Sequence, residues 1–292
     1  MRLVPGSLGF NPRMRLRAIS LLRSLRSTLL SRVAILGALT LPMSAVAQTT
    51  PPAAVPEANP ARPTVSTPAN LTPVGYLQFE TGAFFAQTSP EFSNLANINE
   101  VAKLTVHPRL ELILEVNPVA GATGEINDTA FGGLSLGFQS VLLGTGDANT
   151  TLAVSYLHQA ISSAVPDTDI GTPVNSGLVL LSTNAAQFHF DINGIFNQQT
   201  VGNDSKTQYG QTLSISRPLW KLTGQGEIWH FTQPFLHSDA VGLLWAISYS
   251  PRKNLVFDVG FEHGLTSTST QWEEFFGFTY LLPHRLWKSE NE

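Results

Sequence analysis

The sequence predicts an all-β chain, an antiparallel up-and-down transmembrane β-barrel of about 12 strands. Three observations predict it. Short runs of period-two hydrophobicity recur from Thr72 to the end, separated by turn residues. Tight and long connections alternate along the chain, which puts all tight turns at one end of a meander and all long loops at the other. Charged residues make up only 13% of the chain, yet mean hydropathy is only +0.06, because Gly, Ser, Thr, Asn and Gln replace the charges. That mix suits small-residue β structure better than a helical membrane protein.

The first 47 residues read as an export signal. Arg13, Arg15, Arg17, Arg23, Arg26 and Arg32 form a basic region without acidic residues, and Val33–Leu41 is a short apolar core. Ala45–Ala47 makes a small-x-small cleavage site before Gln48. The apolar core is far below the roughly 20 residues that span a bilayer. The signal holds seven of the 17 basic residues and none of the 21 acidic ones. The mature chain therefore carries 10 basic against 21 acidic residues, a net of −11. Such a chain is unsuited to nucleic acid, whose phosphates need Lys and Arg. It has no cysteine, which excludes disulfides, thiolate metal sites and a Cys-anchored lipoprotein.

Residues 48–72, "QTTPPAAVPEANPARPTVSTPANLT", are rich in Pro, Ala and Thr and read as an extended or disordered linker with almost nothing to bury. The barrel is expected over 73–283, with a short tail at 284–292. Its strands are expected at 74–85, 98–106, 109–116, 131–141, 150–157, 177–182, 187–196, 208–216, 221–231, 240–249, 254–263 and 271–282. Tight connections fall at 106–109, 182–186, 217–221 and 250–254, with 142–149 a little longer. Long ones fall at 86–97, 117–129, 158–176, 197–207, 232–240 and 264–271. An even strand count puts both ends of the barrel at the tight-turn, periplasmic side, as export requires.

The alternation has two faces to assign. A soluble periplasmic β-calyx binding a hydrophobic ligand would turn the apolar face inward; a membrane barrel turns it to lipid. Aromatic residues near strand ends (Tyr156, Tyr209, Trp220, Trp245, Tyr249, Trp272 and Tyr280) suit interfacial girdles. The opposite phases, such as Gly133/Ser135/Gly137/Gln139 and Gly210/Thr212/Ser214/Ser216, carry the small polar residues of a curved lumen wall. On this assignment Leu255, Phe257, Val259 and Phe261 face lipid, and Asp258 and Glu262 face the lumen. The lumen set is Glu80, Lys103, Glu111, Glu115, His189, Asp191, Glu227, Asp258 and Glu262, with Glu273 beside them. Carboxylates crowded in a narrow aqueous space attract cations and repel anions.

"VGYLQFETGAFF", "VHPRLELILEV", "FGGLSLGFQSVLL" and the closing "SPRKNLVFDVGFEHGL" with "FFGFTYLL" resemble the MetA-pathway phenol-degradation family of bacterial outer-membrane proteins. The resemblance covers about 71–282. It implies an outer-membrane barrel that passes small, aromatic solutes, and it carries over no functional residues. "WEEFFGFTYLL" also resembles the terminal aromatic strand that barrel-assembly machinery recognises, although here "PHRLWKSENE" follows it. The expected partners are outer-membrane lipid, that assembly machinery and a small-molecule solute.

Other classes of function find less support. Seven histidines are scattered at 107, 158, 189, 230, 237, 263 and 284; His230 and His237 flank an outer loop with Asp239, and with His263 nearby they form the one candidate metal or catalytic cluster, on weak spacing. No nucleophile elbow, Walker loop or metal-binding helix signature occurs, so no catalytic residue, metal or cofactor is assigned. A structural or adhesive barrel without transport is the remaining alternative.

Overall fold

The computed structural model describes residues 56–124, 127–146, 148–163, 165 and 172–287. The expected signal peptide lies outside the described residues, as do 48–55 of the Pro-rich stretch. Thirteen strands form: β1 (Leu77–Gln87), β2 (Asn94–His107), β3 (Leu110–Thr123), β4 (Asp128–Ala130), β5 (Gly133–Leu143), β6 (Thr150–Ile161), β7 (Thr172–Ala185), β8 (Phe188–Val201), β9 (Asp204–Leu219), β10 (Leu222–Gln233), β11 (Ser238–Arg252), β12 (Leu255–Gly264) and β13 (Trp272–Leu281).

Twelve of them close into an antiparallel barrel. Each pairs with its sequence neighbour, β3 pairs with β5, and β1 pairs with β13 to shut the ring. The three-residue β4 lies on the end of β3, inside what the sequence predicts as one long loop. Closure leaves none of the twelve barrel strands with a free edge, which lipid would leave without hydrogen-bond partners. Gln78 opposite Leu281 places the start of β1 and the end of β13 at one rim. The same rim carries the tight turns at 108–109, 186–187, 220–221 and 253–254.

The two faces fall as the membrane reading requires. Along β12, Phe257, Val259 and Phe261 are 45%, 58% and 46% exposed, while Val256, Asp258 and Glu262 are buried. On β3, Leu112 and Leu114 point out, and Glu111 and Ile113 point in. The outer face carries cross-strand aromatic contacts, including Trp245 with Phe261 at 5.3 Å and Phe85 with Phe276 at 6.2 Å. An inverted, calyx-like arrangement would bury these rings and expose the carboxylates. The structure does the opposite.

Two expectations change. The polar stretch 197–207 is not a long loop. Val201 pairs with Asp204, so β8 and β9 run on to a two-residue turn. Gly202, at φ 58°, holds the first turn position, where a type II′ hairpin needs positive φ. Polar composition reads as loop in a soluble protein. Here it marks a hairpin whose ladder continues and whose Asn197, Gln199 and Gln208 side chains bond one another.

The larger change concerns the Pro-rich stretch. Residues 56–72 are not a tail without burial. They run inside the barrel, with Ala58, Ser66, Ala69 and Thr72 buried. Ala58 N–H donates to the carbonyl of Lys253 in a tight turn and Gly75 N–H to that of Thr105 near another, so both ends of this strap lie at the short-turn rim. Arg285 Nε donates to Val74 O and Leu286 N–H to Gly75 O, so the tail after β13 folds onto the strap's exit.

The lipid-facing phase makes a direct prediction. Val259→Arg, in the middle of β12's outward face, is expected to destabilise the barrel by about 2–4 kcal/mol. Urea unfolding in lipid vesicles, read by gel mobility with and without heating, checks it. An unchanged midpoint would refute the outward assignment.

Candidate functional site: the lumen and its strap

The interior is built from the inward phase of each strand, which the ladder fixes rung by rung. Glu80, Lys103, Glu111, Glu227, Asp258, Glu262 and Glu273 are all buried there. Glu115, His189 and Asp191 lie on the same phase and are half-buried. The predicted residues do not form one cluster. They are spread around the wall, and the strap is what connects them.

A chain inside a barrel has backbone N–H groups that no ladder pairs, and each needs an acceptor. The strap reduces this demand with Pro56, Pro60, Pro63 and Pro68, which have no N–H. The wall supplies the rest. Glu227 accepts from the N–H groups of Val65 and Ser66 at 2.8 and 2.7 Å, and from the Ser66 hydroxyl at 2.5 Å. Glu80 accepts from Ala61 and Arg62, and Glu111 from the N–H and hydroxyl of Thr72. Asn193 accepts from Thr67 N–H and donates to its carbonyl. Gln78 does the same for Asn59, and Ser182 accepts from Ala69 N–H. Gln139 donates to the carbonyls of Pro68 and Ala69. Bonds to ionised acceptors are the stronger kind, about 1.5–3 kcal/mol each.

Charge pairing adds to this frame. Lys103 Nζ lies 2.5 Å from Glu80 Oε1, and Arg62 reaches Asp258 at 3.4 Å. The Arg62 guanidinium lies flat over two glycines that face each other across the β1–β13 seam, Gly82 and Gly277. A Cβ at Gly82 would sit 2.2 Å from the guanidinium carbon, so the cradle exists only because both positions lack side chains. His189 pairs with Asp191 at 3.1 Å, and Asp191 accepts from the Ser182 hydroxyl.

Sequence reasoning missed two groups of interior residues. The first is the strap itself, whose composition resembles that of any linker. The second is an inward aromatic set, Trp229, Phe231 and Phe275, all buried. Their signal was present: Glu227 in the lumen forces Trp229, Phe231 and Gln233 inward by alternation. These rings also lie over glycines of a neighbouring strand. A Cβ at Gly242 would meet Trp229, at Gly210 Phe231, and at Gly260 Phe275. Val65 of the strap packs against this set.

The strap divides the interior. At the short-turn rim a vestibule of about 900 Å³ is lined by strap residues and by Thr105, Asn184 and His189 among others. Towards the long loops lies a smaller cavity of about 90 Å³, lined by Val65, Trp229, Phe231, Glu262 and Glu273 with loop residues 268–270. The indole Nε1 of Trp229 has no hydrogen-bond partner among the described residues. Of the histidines near the outer loop, His230 pairs with Asp239 at 3.5 Å. Among the described residues no three metal-ligating side chains come together.

Comparisons with known proteins agree with the fold. The chain is similar in structure to the COG4313 outer membrane channel from Pseudomonas putida F1, with a TM-score of 0.56 and 11% identity. The match covers 73% of this chain and 98% of that one. The KdgM porin aligns over 70% of this chain and 98% of its own at 12% identity and TM-score 0.47. The CymD monoaromatic hydrocarbon channel aligns over 72% and 89% at 10% identity and TM-score 0.45. No family model and no curated protein matches the sequence. The match at a TM-score of 0.56 supports the fold seen here, that of a 12-stranded outer-membrane β-barrel, the architecture that the sequence resemblance implies.

Proposed function

We propose that the protein is an outer-membrane channel for small solutes whose lumen is filled by its own residues 56–72, so that passage requires the strap to shift. The observation that carries this reading is the way the strap is held. It is tied to the wall by polar contacts and ion pairs, with cavities on both sides, rather than by a continuous apolar core. A segment meant only to stiffen the barrel would be expected to exclude water along its length. The resemblance to outer-membrane transporters and the channel fold support transport over catalysis.

The wall chemistry supports a preference for cations. Eight inward carboxyl groups (Glu80, Glu111, Glu115, Asp191, Glu227, Asp258, Glu262 and Glu273) stand against the cationic Lys103 and Arg62. With the strap in place, Glu80, Glu111, Glu227 and Asp258 hold it; with the strap displaced, they face the path. The short-turn rim, where the strap enters, is the periplasmic side on this reading.

Two experiments test the proposal. In planar bilayers the intact mature protein is expected to conduct weakly. A variant lacking 56–72 is expected to conduct at least several-fold more, with a reversal potential that favours cations in a salt gradient. Equal conductance of the two, with both barrels closed by gel mobility, would rule out the strap as the obstruction, and anion selectivity would rule out the carboxylate assignment.

The second reads the hold of the strap. The chain has no cysteine, so Ala69→Cys is a unique label site on a fully buried strap position. Its maleimide labelling in intact vesicles is expected to be slow, and to accelerate about tenfold or more when Glu227→Ala removes three strap hydrogen bonds. Gly82→Val, which displaces Arg62 from its cradle, is expected to act in the same direction. Labelling rates unchanged in both would show that these contacts do not hold the strap.

A further inference from the structure

We propose that the outer surface of β9–β12, at the short-turn rim, is a seat for an anionic phospholipid. Arg217, Lys221 and Arg252 hold its phosphate, and one acyl chain lies along the face of β10. The seat is outside the lumen, so it stands independently of the channel reading.

Charge is divided unevenly between the two ends of the barrel. Among the described residues the short-turn rim carries Arg109, Arg217, Lys221, Arg252, Lys253 and Arg285 against one carboxylate, Glu57. The long-loop end carries Glu91, Asp128, Asp204, Asp239 and Glu274 against Lys206. Arg217, Lys221 and Arg252 form no ion pair with a described carboxylate. Arg217 donates to the neutral Gln187 Oε1 at 2.5 Å and lies 5.4 Å from the centre of the Phe188 ring. Lys221 lies 5.4 Å from the ring of Trp220, which is 91% exposed at the turn. Ser250 N–H donates to Lys221 O at 2.8 Å, which brings this turn beside the strand end that carries Arg252. Cations beside exposed aromatic rings suit the level of the lipid headgroups.

The register sets these cations at the end of a lipid-facing furrow. Arg217 opposes Gly224, which opposes Ile247. Two residues farther from the rim, Ile215, Gly226 and Trp245 line up in the same way. A Cβ at Gly224 or Gly226 would meet nothing within 4 Å, so β10 is bare between the side chains of β9 and β11. Across a bulge, Arg252 opposes Leu255 and so shares its lipid-facing phase. The furrow has a backbone floor, apolar walls and cations at one end. That combination selects a phospholipid. Arg and Lys bind phosphate oxygens, and an acyl chain fills an apolar furrow that inorganic phosphate leaves empty. A zwitterionic headgroup brings its own cation, which the cluster repels. An acidic protein would meet the turn tips, whereas Arg217 stands on the lipid-facing phase beside Ile215. The acidic long-loop end repels the same headgroup, so the preference belongs to the leaflet at the short-turn rim.

The test uses phospholipids brominated midway along their acyl chains, because bromine quenches indole fluorescence on contact. Two forms of the mature protein, one keeping only Trp245 and one only Trp272, are reconstituted in phosphatidylcholine vesicles and checked for barrel closure by gel mobility. Trp245 flanks the furrow, and Trp272 is exposed on the outward face at the long-loop end. Brominated phosphatidylglycerol is expected to quench Trp245 with an apparent affinity about fivefold or more above that of brominated phosphatidylcholine, and to quench Trp272 without preference. Arg217→Gln, Lys221→Gln and Arg252→Gln together are expected to remove the preference at Trp245. Gly224→Val, which fills the furrow and leaves the charges intact, is expected to reduce it. Equal quenching of Trp245 by the two lipids, or the same preference at Trp272, overturns the seat. A preference untouched by Gly224→Val overturns it in favour of diffuse charge attraction. One abolished by inorganic phosphate at matched ionic strength overturns it in favour of a free-anion site. Native mass spectrometry reads the same seat without tryptophan changes, on the unmodified mature protein released from micelles holding equal amounts of the two lipids. A retained phosphatidylglycerol adduct that the triple Gln variant loses is the expected result, and no preferential adduct overturns the seat.

Discussion

The whole structure depends on one constraint: every backbone N–H and C=O must find a partner where water does not reach. The wall meets it by closing twelve strands into a ring, with β1 against β13 as the last seam. The strap cannot meet it that way, because it dips into the lumen from the short-turn rim and returns to it without a strand neighbour. Its solution is chemical. Prolines remove some donors, and Glu80, Glu111, Glu227, Asn193 and Ser182 accept from several of the rest. The interior carboxylates are thus structural acceptors and candidate pore-lining groups at once.

The same alternation that turns Phe257 to lipid turns Asp258 inward, and it also turns Trp229, Phe231 and Phe275 inward. The lumen is consequently mixed rather than uniformly polar. Glycines make the mixture possible. Where a ring or the Arg62 guanidinium lies against the wall, the residue beneath it is Gly82, Gly210, Gly242, Gly260 or Gly277, because any Cβ would occupy the same space. These glycines let side chains lie close against the wall, a role distinct from turn formation at Gly202.

Much of the barrel was legible in the sequence because its signals are local. Period-two runs such as Phe276/Phe278/Tyr280 need only the chain's own pleat to be read, and the strand count follows from their number. The lumen residues on β1, β3, β10 and β12 were legible for the same reason. The hairpin at 197–207 is not legible as one, because polar composition resembles the end of a ladder, whereas backbone pairing continues regardless of what the side chains are. The aromatic interior was readable from the phase of Glu227, but hydrophobic rings are ordinarily assigned to the apolar face.

By itself, then, the sequence determined the class of fold, the phase of each clear strand and the inward direction of the carboxylates, since each depends on residues one or two positions apart. Only the tertiary structure decided where residues 56–72 go. Their Pro, Ala and Thr composition carries no periodicity, and the partners that hold them lie up to 196 residues away, as between Arg62 and Asp258. The contacts that fill the lumen exist only after the ring has closed around the strap, which is why no local reading of either segment could reveal them.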